Sequence, residues 1–523
     1  MIPDLRALRR RAFLGTAGRG VGAVALASLL GRTDAVAAGG ALTRLPLPRR
    51  AKRVIWLTMA GGPSQLELLD HKPRLAAMDG QPMPESFTKG QQLAQLQGQK
   101  LICQGPQFRF RRHGRNGTEL SELLPHLGTV ADDLCVIRSM TTDAINHDPA
   151  HMFMNTGSQI AGRPSMGSWV TYGLGTEATD LPGFVVLTSL GKGGQNQPIA
   201  ARQWSSGFLP SKHQGVQLRS KGDPVLYLSN PPGVSRDAQG GDVDAIAKLN
   251  LHRERFVADP EVATRVAQYE MAFKMQASVP QLMDVKGEDP KTLELYGCQP
   301  GDGSFASNCL LARRLAERGV RFIQLYHKDW DHHGGVKDGV AFKAAEIDRA
   351  CMALITDLKR RGMLDSTLIV WAGEFGRTPM SQGNGRDHHN KAMTVWMAGG
   401  GIRGGLVHGL DPPVGPVHRV ERLPVLLQEG RMGLLRFEAE FFRRRIGGRC
   451  VEGFLERFER QRLVDLELVA VHKQAGAHGV EVGAAGVGGQ SAHVHVYAEE
   501  IAERVGILAP VEPAEGDHTL LIG

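Results

Sequence analysis

Short apolar runs recur along the chain, and most of them end at a glycine or at a group of polar residues. The runs are rich in β-branched residues, which is typical of strands buried inside a sheet. The runs that predict strands are Arg53–Met59, Leu134–Ser139, Phe184–Thr188, Val320–Tyr326, Leu368–Trp371 and Met393–Ala398.

Amphipathic segments lie between these runs and predict helices. The predicted helices are Ser121–Asp132, Ser304–Arg318 and Val340–Arg361, together with two helices within Val243–Val279 that are separated by a break at Asp259 and Pro260. Strands that alternate with helices predict an α/β fold, with a doubly wound, mostly parallel sheet covered by helices on both faces.

Acidic, basic and imidazole side chains gather where three of the predicted strands begin or end. In an open α/β sheet, the carboxyl ends of the strands are the usual place for a ligand site. We therefore expect these side chains to meet in one cleft. They are Asp331 and His333, Glu374 and Arg377, and Asp387 and His388.

This set of residue types suits a metal ion and an anion. Aspartate with histidine suits zinc, manganese or iron, whereas carboxylate with hydroxyl oxygens suits harder cations such as calcium. Two such ions a few ångströms apart can clamp the attacking and leaving oxygens of a phosphoryl or sulfuryl transfer. The planar guanidinium of Arg377 would present a fork to an anionic substrate. The cofactor prediction is a divalent metal: zinc, calcium or manganese.

Two further segments carry candidate residues with two readings each. Ser64 follows a tight glycine turn at the end of the first strand, which fits either ligand binding or the closing of a βα turn. The segment Asn146–His151 contains two histidines and an aspartate, which could be ligands. A helix start capped by Asp148, with Pro149 in its first turn, explains part of the same pattern.

The N-terminus has the three parts of an export signal in order. A twin arginine stands at positions 10 and 11, an apolar run covers Val21–Leu30, and small residues at 35–37 suit cleavage. The apolar run is shorter than the roughly 20 residues of a membrane span. We therefore predict a removed twin-arginine signal peptide at 1–37, a linker at 38–52, and a periplasmic or secreted protein without a stable membrane span after processing. The twin-arginine translocase is the predicted partner of the leader.

Composition excludes little. The net charge of the 523 residues is +8, but much of the excess lies in the N-terminus and in arginine-rich patches after residue 410, so no nucleic-acid binding is predicted. The six cysteines form no CxxC pair and no metal-type spacing, and we expect most of them to be buried thiols.

Long motifs between about residue 50 and residue 408 resemble a known family. The chain is similar to domain-of-unknown-function family number 1501, a family of exported proteins grouped with the alkaline phosphatase and sulfatase superfamily. The motifs are MAGGPSQLELLD (59–70), SELLPHLGTVADDLCVIRSM (121–140), NHDPAHMFMNTGSQIAGRPSMGSWVTYGLG (146–175), GDPVLYLSNPPGV (222–234), NCLLARRLAERGVRFIQLYHKDWDHHG (308–334), GEFGRT (373–378) and GRDHHNKAMTVWMAGGGIRGG (385–405).

The resemblance implies an alkaline phosphatase-like fold, often with two metals at the strand ends. Asp331 and His333 look like its aspartate-to-histidine metal motif, and Glu374 stands where relatives have an Asp-His pair. His388 or His389 looks like the late metal histidine.

The chain also departs from the superfamily pattern. The first strand ends in Met59, Ala60 and Gly61, where an active phosphatase has a metal-binding aspartate. His147 falls near the position of a sulfatase nucleophile, where no serine or cysteine is present. The nucleophile is therefore unassigned, with Ser64 as a candidate.

The residue composition changes abruptly after His408, where we expect the resemblance to the family to stop. The predicted α/β domain is 53–408, and 409–523 is an atypical tail, either frameshifted or divergent and poorly ordered, with little packing against the domain.

Two functions follow as hypotheses. The first is an exported metal-dependent hydrolase of sulfate or phosphate esters that acts on a small anionic ester or sulfated glycan. Its metal residues would be Asp331, His333, Glu374, Asp387 and His388, and its catalytic residues Ser64, His147 and Arg377. The alternative is a catalytically inactive member of the superfamily that binds a ligand or partner outside the cytoplasm.

Overall fold

Apolar residues at successive positions of the runs form strands whose two faces are both buried. The computed structural model describes residues 40–42, 50–90, 92–189, 195, 197–219, 224–225, 230, 233–257, 260–299 and 301–409. Its strands are β1 (Arg53–Met59), β2 (Phe110–His113), β3 (Thr118–Ser121), β4 (Leu134–Met140), β5 (Phe184–Thr188), β6 (Val216–Leu218), β7 (Phe322–His327), β8 (Thr367–Ala372), β9 (Gly376–Gln382), β10 (Gly385–His389), β11 (Met393–Ala398) and β12 (Leu406–His408).

The helices fill the intervals between strands. They are α1 (Gln65–Leu68), α2 (Pro73–Ala77), α3 (Glu85–Thr88), α4 (Pro125–Gly128), α5 (His147–Thr156), α6 (Met166–Leu174), α7 (Arg236–Val257), α8 (Pro260–Met283), α9 (Pro290–Tyr296), α10 (Phe305–Glu317) and α11 (Val336–Arg360). Short 3-10 turns cover Ala131–Asp133, Ala201–Trp204, Ser211–His213 and Leu364–Ser366. None of the described helices is long and apolar enough to cross a membrane.

Eight strands form one sheet in the order β12-β4-β11-β8-β1-β7-β5-β6. All neighbouring pairs are parallel except those of β11, which runs antiparallel to both β8 and β4. The predicted mostly parallel sheet is confirmed. Because β11 is reversed, its first residues lie at the same edge of the sheet as the last residues of β8.

Side chains that alternate along β1 show how both faces are covered. Ile55 and Leu57 belong to the large core that also contains Leu310 of α10 and Leu354 of α11. Trp56 points to the opposite face, where smaller clusters include residues of α5 and α6. Helices on both faces explain why the strands read as continuous apolar runs.

Two local predictions were wrong. The segment 121–132, predicted as a helix, contains only the four-residue helix α4 and a 3-10 turn, because Pro125 sits at the start of that short helix and cannot continue one from before it. The polar stretch between β8 and β11, where no strand was predicted, is the antiparallel hairpin of β9 and β10.

The central strands determine where the site lies. In the register of the sheet, Met59 of β1 pairs with His327 of β7, and Thr58 pairs with Ala372 of β8. The residues that follow these three strands therefore emerge side by side. The predicted leader, most of the linker and the tail beyond residue 409 lie outside the described residues.

Candidate metal centre

Asp331 is the centre of the site at the carboxyl edge of the sheet. It follows β7, and its carboxylate lies within ion-pair distance of three imidazoles. The nearest nitrogens are Nε2 of His333 at 3.0 Å, Nε2 of His147 at 3.1 Å and Nε2 of His388 at 3.3 Å. Arg377 contacts the same carboxylate at 2.5 Å. These partners hold the pKa of Asp331 far below its ordinary value, although burial alone would raise it.

The second ring nitrogens of two histidines fix their tautomers. Nδ1 of His388 lies 2.7 Å from the backbone carbonyl of Ile145, and Nδ1 of His333 lies 2.5 Å from Oε1 of Gln382. Because both oxygens can only accept, each Nδ1 carries the proton and each Nε2 presents a lone pair. The two Nε2 atoms are 2.9 Å apart and face each other beside Asp331. Two lone pairs next to a carboxylate repel each other unless a cation or a proton lies among them.

His147 joins this group from the first residue of α5. Its Nε2 faces Asp331, and its Nδ1 lies 2.6 Å from Oε1 of Glu374. Burial would lower the pKa of His147, but the hydrogen bonds to Asp331 and Glu374 raise it to about 9. A helix does start in this segment, and the imidazole of His147 belongs to the site. The predicted cap was wrong, because the N-cap is Asn146, without a side-chain hydrogen bond, and Asp148 lies inside the helix.

His151, which the sequence analysis noted as a possible ligand but did not assign to the metal or catalytic residues, belongs to the site. It lies one helical turn after His147, so both imidazoles project from one side of α5. Its side chain is fully buried, and its Nε2 is 3.5 Å from Oε1 of Glu374. The i, i+4 spacing of two histidines was the sequence signal that could have identified it.

Glu374 follows β8 and is anchored by the end of the first strand. Its two carboxylate oxygens lie 2.9 Å and 3.2 Å from the backbone N–H of Gly61. Gly61 has a positive φ of 117°, and a Cβ there would come within 2.6 Å of the Asp331 backbone. The turn that lacks an aspartate thus supplies an amide to Glu374 and leaves room for Asp331. Burial would raise the pKa of Glu374, but His151 and His147 lower it to about 2.

The structure gives Arg377 a different task from the predicted anion fork. Its guanidinium donates to the carbonyls of Gly61, Gly62 and Arg386 as well as to Asp331. The side chain is 1% exposed. Because its donors are directed at the protein, Arg377 holds the first-strand turn against Asp331.

Two other predicted residues lie apart from the imidazole group. The hydroxyl of Ser64 donates to Glu67, whose carboxylate pairs with Arg386 at 2.7 Å. The carboxylate of Asp387 accepts from the backbone N–H groups of residues 95, 96 and 388 at 2.7 to 3.1 Å. Ser64 and Asp387 therefore hold backbone and loops in place.

Among the described residues, two groups have ligand atoms close enough to hold a cation. One consists of His147, Asp331, His333 and His388, and the other of His147, His151 and Glu374. The first group fits a divalent metal by its chemistry, because the lone pairs of three imidazole nitrogens and one carboxylate point toward one position. Nε2 of His147 is buried and faces the carboxylate of Asp331 at 3.1 Å, so it would be a ligand of a cation held in that group.

Residues 51–426 match a family described as Protein of unknown function (DUF1501). The chain belongs to that family. The match continues past His408, so the expectation that the resemblance stops there was wrong, although DUF1501 does not reach the end of the chain. No curated protein is significantly similar to this DUF1501 chain in sequence.

Three of the solved structures that match this chain are distant from it in sequence. The alkaline phosphatase from the Antarctic bacterium TAB5 is 10% identical, with a TM-score of 0.27, over 69% of this chain and 95% of that chain. The PsFucS1 sulfatase from Pseudoalteromonas sp. is 10% identical, with a TM-score of 0.26, over 78% of this chain and 69% of that chain. The C-terminal periplasmic domain of EcEptC from Escherichia coli, in complex with zinc, is 8% identical, with a TM-score of 0.26, over 67% of this chain and 73% of that chain. At such values the similarities say nothing about what this DUF1501 protein does.

Proposed function

We propose that this protein is an exported, metal-dependent hydrolase of sulfate or phosphate esters. The observation that carries the proposal is the pair of facing Nε2 atoms of His333 and His388, 2.9 Å apart beside the carboxylate of Asp331. A group of lone pairs around one carboxylate is a ligand set for a cation. A divalent cation held there would polarise an ester oxygen and lower the pKa of a water molecule.

The ligand types narrow the choice of metal. Three imidazoles and one carboxylate favour zinc or manganese, whereas calcium takes oxygen ligands. His333 and His388 are each held by an acceptor on Nδ1, which fixes the ring orientation and raises the basicity of Nε2. The open side of the group lies at Asp331 and His333, whose side chains are 21% and 23% exposed. A small anionic ester would enter there.

Among the described residues, no side-chain hydroxyl fits the role of nucleophile. Within the part of the chain that the structure describes, the imidazole group has no serine, threonine or cysteine among its hydrogen-bond partners. Ser64 donates its hydroxyl to Glu67 instead. We therefore propose that water attacks the phosphorus or sulfur atom directly, with the alcohol as the leaving group.

The alternative is a catalytically inactive protein that binds a ligand outside the cytoplasm. Two observations favour it. The guanidinium of Arg377 donates to backbone carbonyls of the protein, and the hydroxyl of Ser64 donates to Glu67. A centre that holds a metal without turning over any ester would fit this alternative.

Elemental analysis and activity assays separate the two functions. We expect the purified protein to contain zinc or manganese and to hydrolyse aryl sulfate or aryl phosphate esters. The variant Asp331→Ala should lose both metal and turnover, while Asp338→Ala, a change of an exposed aspartate on α11, should keep both. Metal without turnover of either ester class supports the binding protein, and absence of metal in the wild type contradicts the hydrolase.

Export by the twin-arginine pathway is part of the proposal and rests on the leader sequence. We expect the double variant Arg10→Lys, Arg11→Lys to remain in the cytoplasm as the uncut precursor. Fractionation of cells and the N-terminal sequence of the exported protein measure this. A variant that is exported and processed like the wild type would contradict the assignment.

A further inference from the structure

His151 is a buried imidazole with neither ring nitrogen satisfied. Its side chain is fully buried, and both Nδ1 and Nε2 lack a hydrogen-bond partner. Buried polar atoms without a partner cost free energy and are uncommon in folded proteins, so each one calls for an explanation. A neutral imidazole presents one unprotonated nitrogen, which is a metal ligand.

Glu374 stands in front of His151 with an anionic charge. Its Oε1 lies 3.5 Å from Nε2 of His151 and 2.6 Å from Nδ1 of His147. The carboxylate is fully buried and also accepts from the backbone N–H of Gly61. Two imidazole nitrogens and one carboxylate oxygen thus converge, and the side chains of His151 and Glu374 are fully buried.

The ring of His147 lies between this group and the group around Asp331. Its Nδ1 faces Glu374, and its Nε2 faces Asp331 at 3.1 Å. Each ring nitrogen therefore belongs to a different set of ligand atoms. A single imidazole in this position can contact one cation on each side.

We propose that His147, His151 and Glu374 form a second cation subsite, and that His147 bridges it to the first one through its two ring nitrogens. The inference rests on the metal centre of the proposed function. If both subsites were filled, His147 would be an imidazolate: starting from the imidazolium, each ring nitrogen would release its proton to solvent and bind one cation. The rival arrangement is a single cation at Asp331, with His147 carrying a proton on Nδ1 toward Glu374.

The sequence places the shared ligand where this geometry needs it. His147 and His151 are separated by one turn of α5, and the helix begins at His147, so the first ring projects toward the sheet edge. Glu374 reaches them from β8, which is next to β1 in the sheet. The first strand contributes the N–H of Gly61 to this subsite instead of a carboxylate.

The number of bound ions tests the inference and the proposed function separately. We expect metal-free protein, dialysed against zinc, to hold one more ion than the variant His151→Leu and one more than the variant His388→Leu. If His151→Leu binds as many ions as the wild type, the second subsite is wrong while the first stands. If neither substitution lowers the count, the metal centre itself is wrong. Ions on histidines of the tail, such as His472 and His478, survive both substitutions and are recognised in that way.

Copper(II) spectroscopy tests the bridge directly. Two copper ions joined by one imidazolate are magnetically coupled, so the wild type should show a weak or absent signal in electron paramagnetic resonance. The His151→Leu protein should show the full signal of an isolated ion. Uncoupled signals from a wild type that holds both ions would overturn the bridging role of His147. If His151→Leu does not fold, Glu374→Gln, which keeps the volume, replaces it, and His213→Leu is the matched control outside the site.

Discussion

Two groups of buried charged side chains in this protein differ in how their charges are balanced. Between the helices, Arg313 pairs with Glu288 at 2.5 Å and with Asp357 at 2.8 Å, and Arg314 and Arg361 complete the network. At the sheet edge, the carboxylates of Asp331 and Glu374 are surrounded mainly by imidazoles, several of whose lone pairs face each other.

The comparison shows that the burial of charged side chains does not by itself distinguish a structural ion-pair network from a ligand site. In the Arg313 network every carboxylate meets a guanidinium, so the group neutralises itself and joins the helices. In the Asp331 group the imidazoles supply lone pairs that face one another or have no donor, and an added cation would satisfy them. Burial is similar in both groups, and the identity of the partners makes one a packing element and the other a candidate ligand site.

The largest expected effect separates the two groups by metal binding. The variant Asp331→Asn removes the charge that all three facing imidazoles share. We expect its zinc affinity to fall by more than the roughly 10–100-fold that changes in outer-shell partners cause. Competition with a fluorescent chelator measures it. Arg313→Met is the control and should bind zinc with the affinity of the wild type.

Breaking the helical network should instead cost stability. Arg313→Met leaves Glu288 and Asp357 buried with fewer cations, and the loss of one partner from a buried pair typically costs about 3–5 kcal/mol. The free energy of unfolding of the metal-free protein, from urea titration, measures this. A loss below about 1 kcal/mol would mean that the network is solvated in solution and resembles surface ion pairs.

An outer-shell change should have an intermediate effect. Gln382 accepts from Nδ1 of His333 and donates to Gln95 at 2.8 Å. Replacing it with leucine frees the ring of His333 to rotate, so we expect zinc affinity to fall by roughly 10–100-fold. Gln217→Leu, an exposed change away from the site, should leave the affinity unchanged. Equal affinities for both variants would show that Gln382 does not orient His333.

The smallest expected effect is a pH dependence of the metal-free protein. The pKa of His147 is about 9 in the folded state against an ordinary value of 6.5, so the folded state binds more protons between these values. Its contribution to stability is therefore fully present below pH 6.5 and is lost as the pH rises through 9. Thermal unfolding across this window should show the loss, and His147→Gln should reduce it. A saturating metal should also remove it, because the cation displaces the proton.

Much of the fold could be predicted because it depends on local patterns. Buried strands between two helical layers must be apolar on both sides, so their runs in the sequence gave nearly the right bounds for β1, β5 and β11. The hairpin β9–β10 was missed because its strands are polar and carry site residues. The single helix predicted at 121–132 does not form because a proline interrupts it.

The candidate site could be predicted in part for a similar reason. Parallel strands place their carboxyl ends at one edge, so Asp331, His333 and Glu374 could be expected to lie near one another from the strand pattern alone. The sequence pattern could not predict that Asp387 accepts hydrogen bonds from backbone amides, or that Arg377 donates to the carbonyls of the turn after β1. Those roles depend on atoms supplied by distant parts of the chain.

By itself the sequence determined the order of strands and helices, the family, and the edge of the sheet at which polar residues collect. These features follow from the spacing of apolar residues along the chain and from motifs whose residues are contiguous. Only the tertiary structure decided which charged side chains contact each other. His147, for example, contacts Glu374, which is 227 residues away in the chain. Local pattern carries no information about such a contact, because it is made by the packing of α5 against the end of β8.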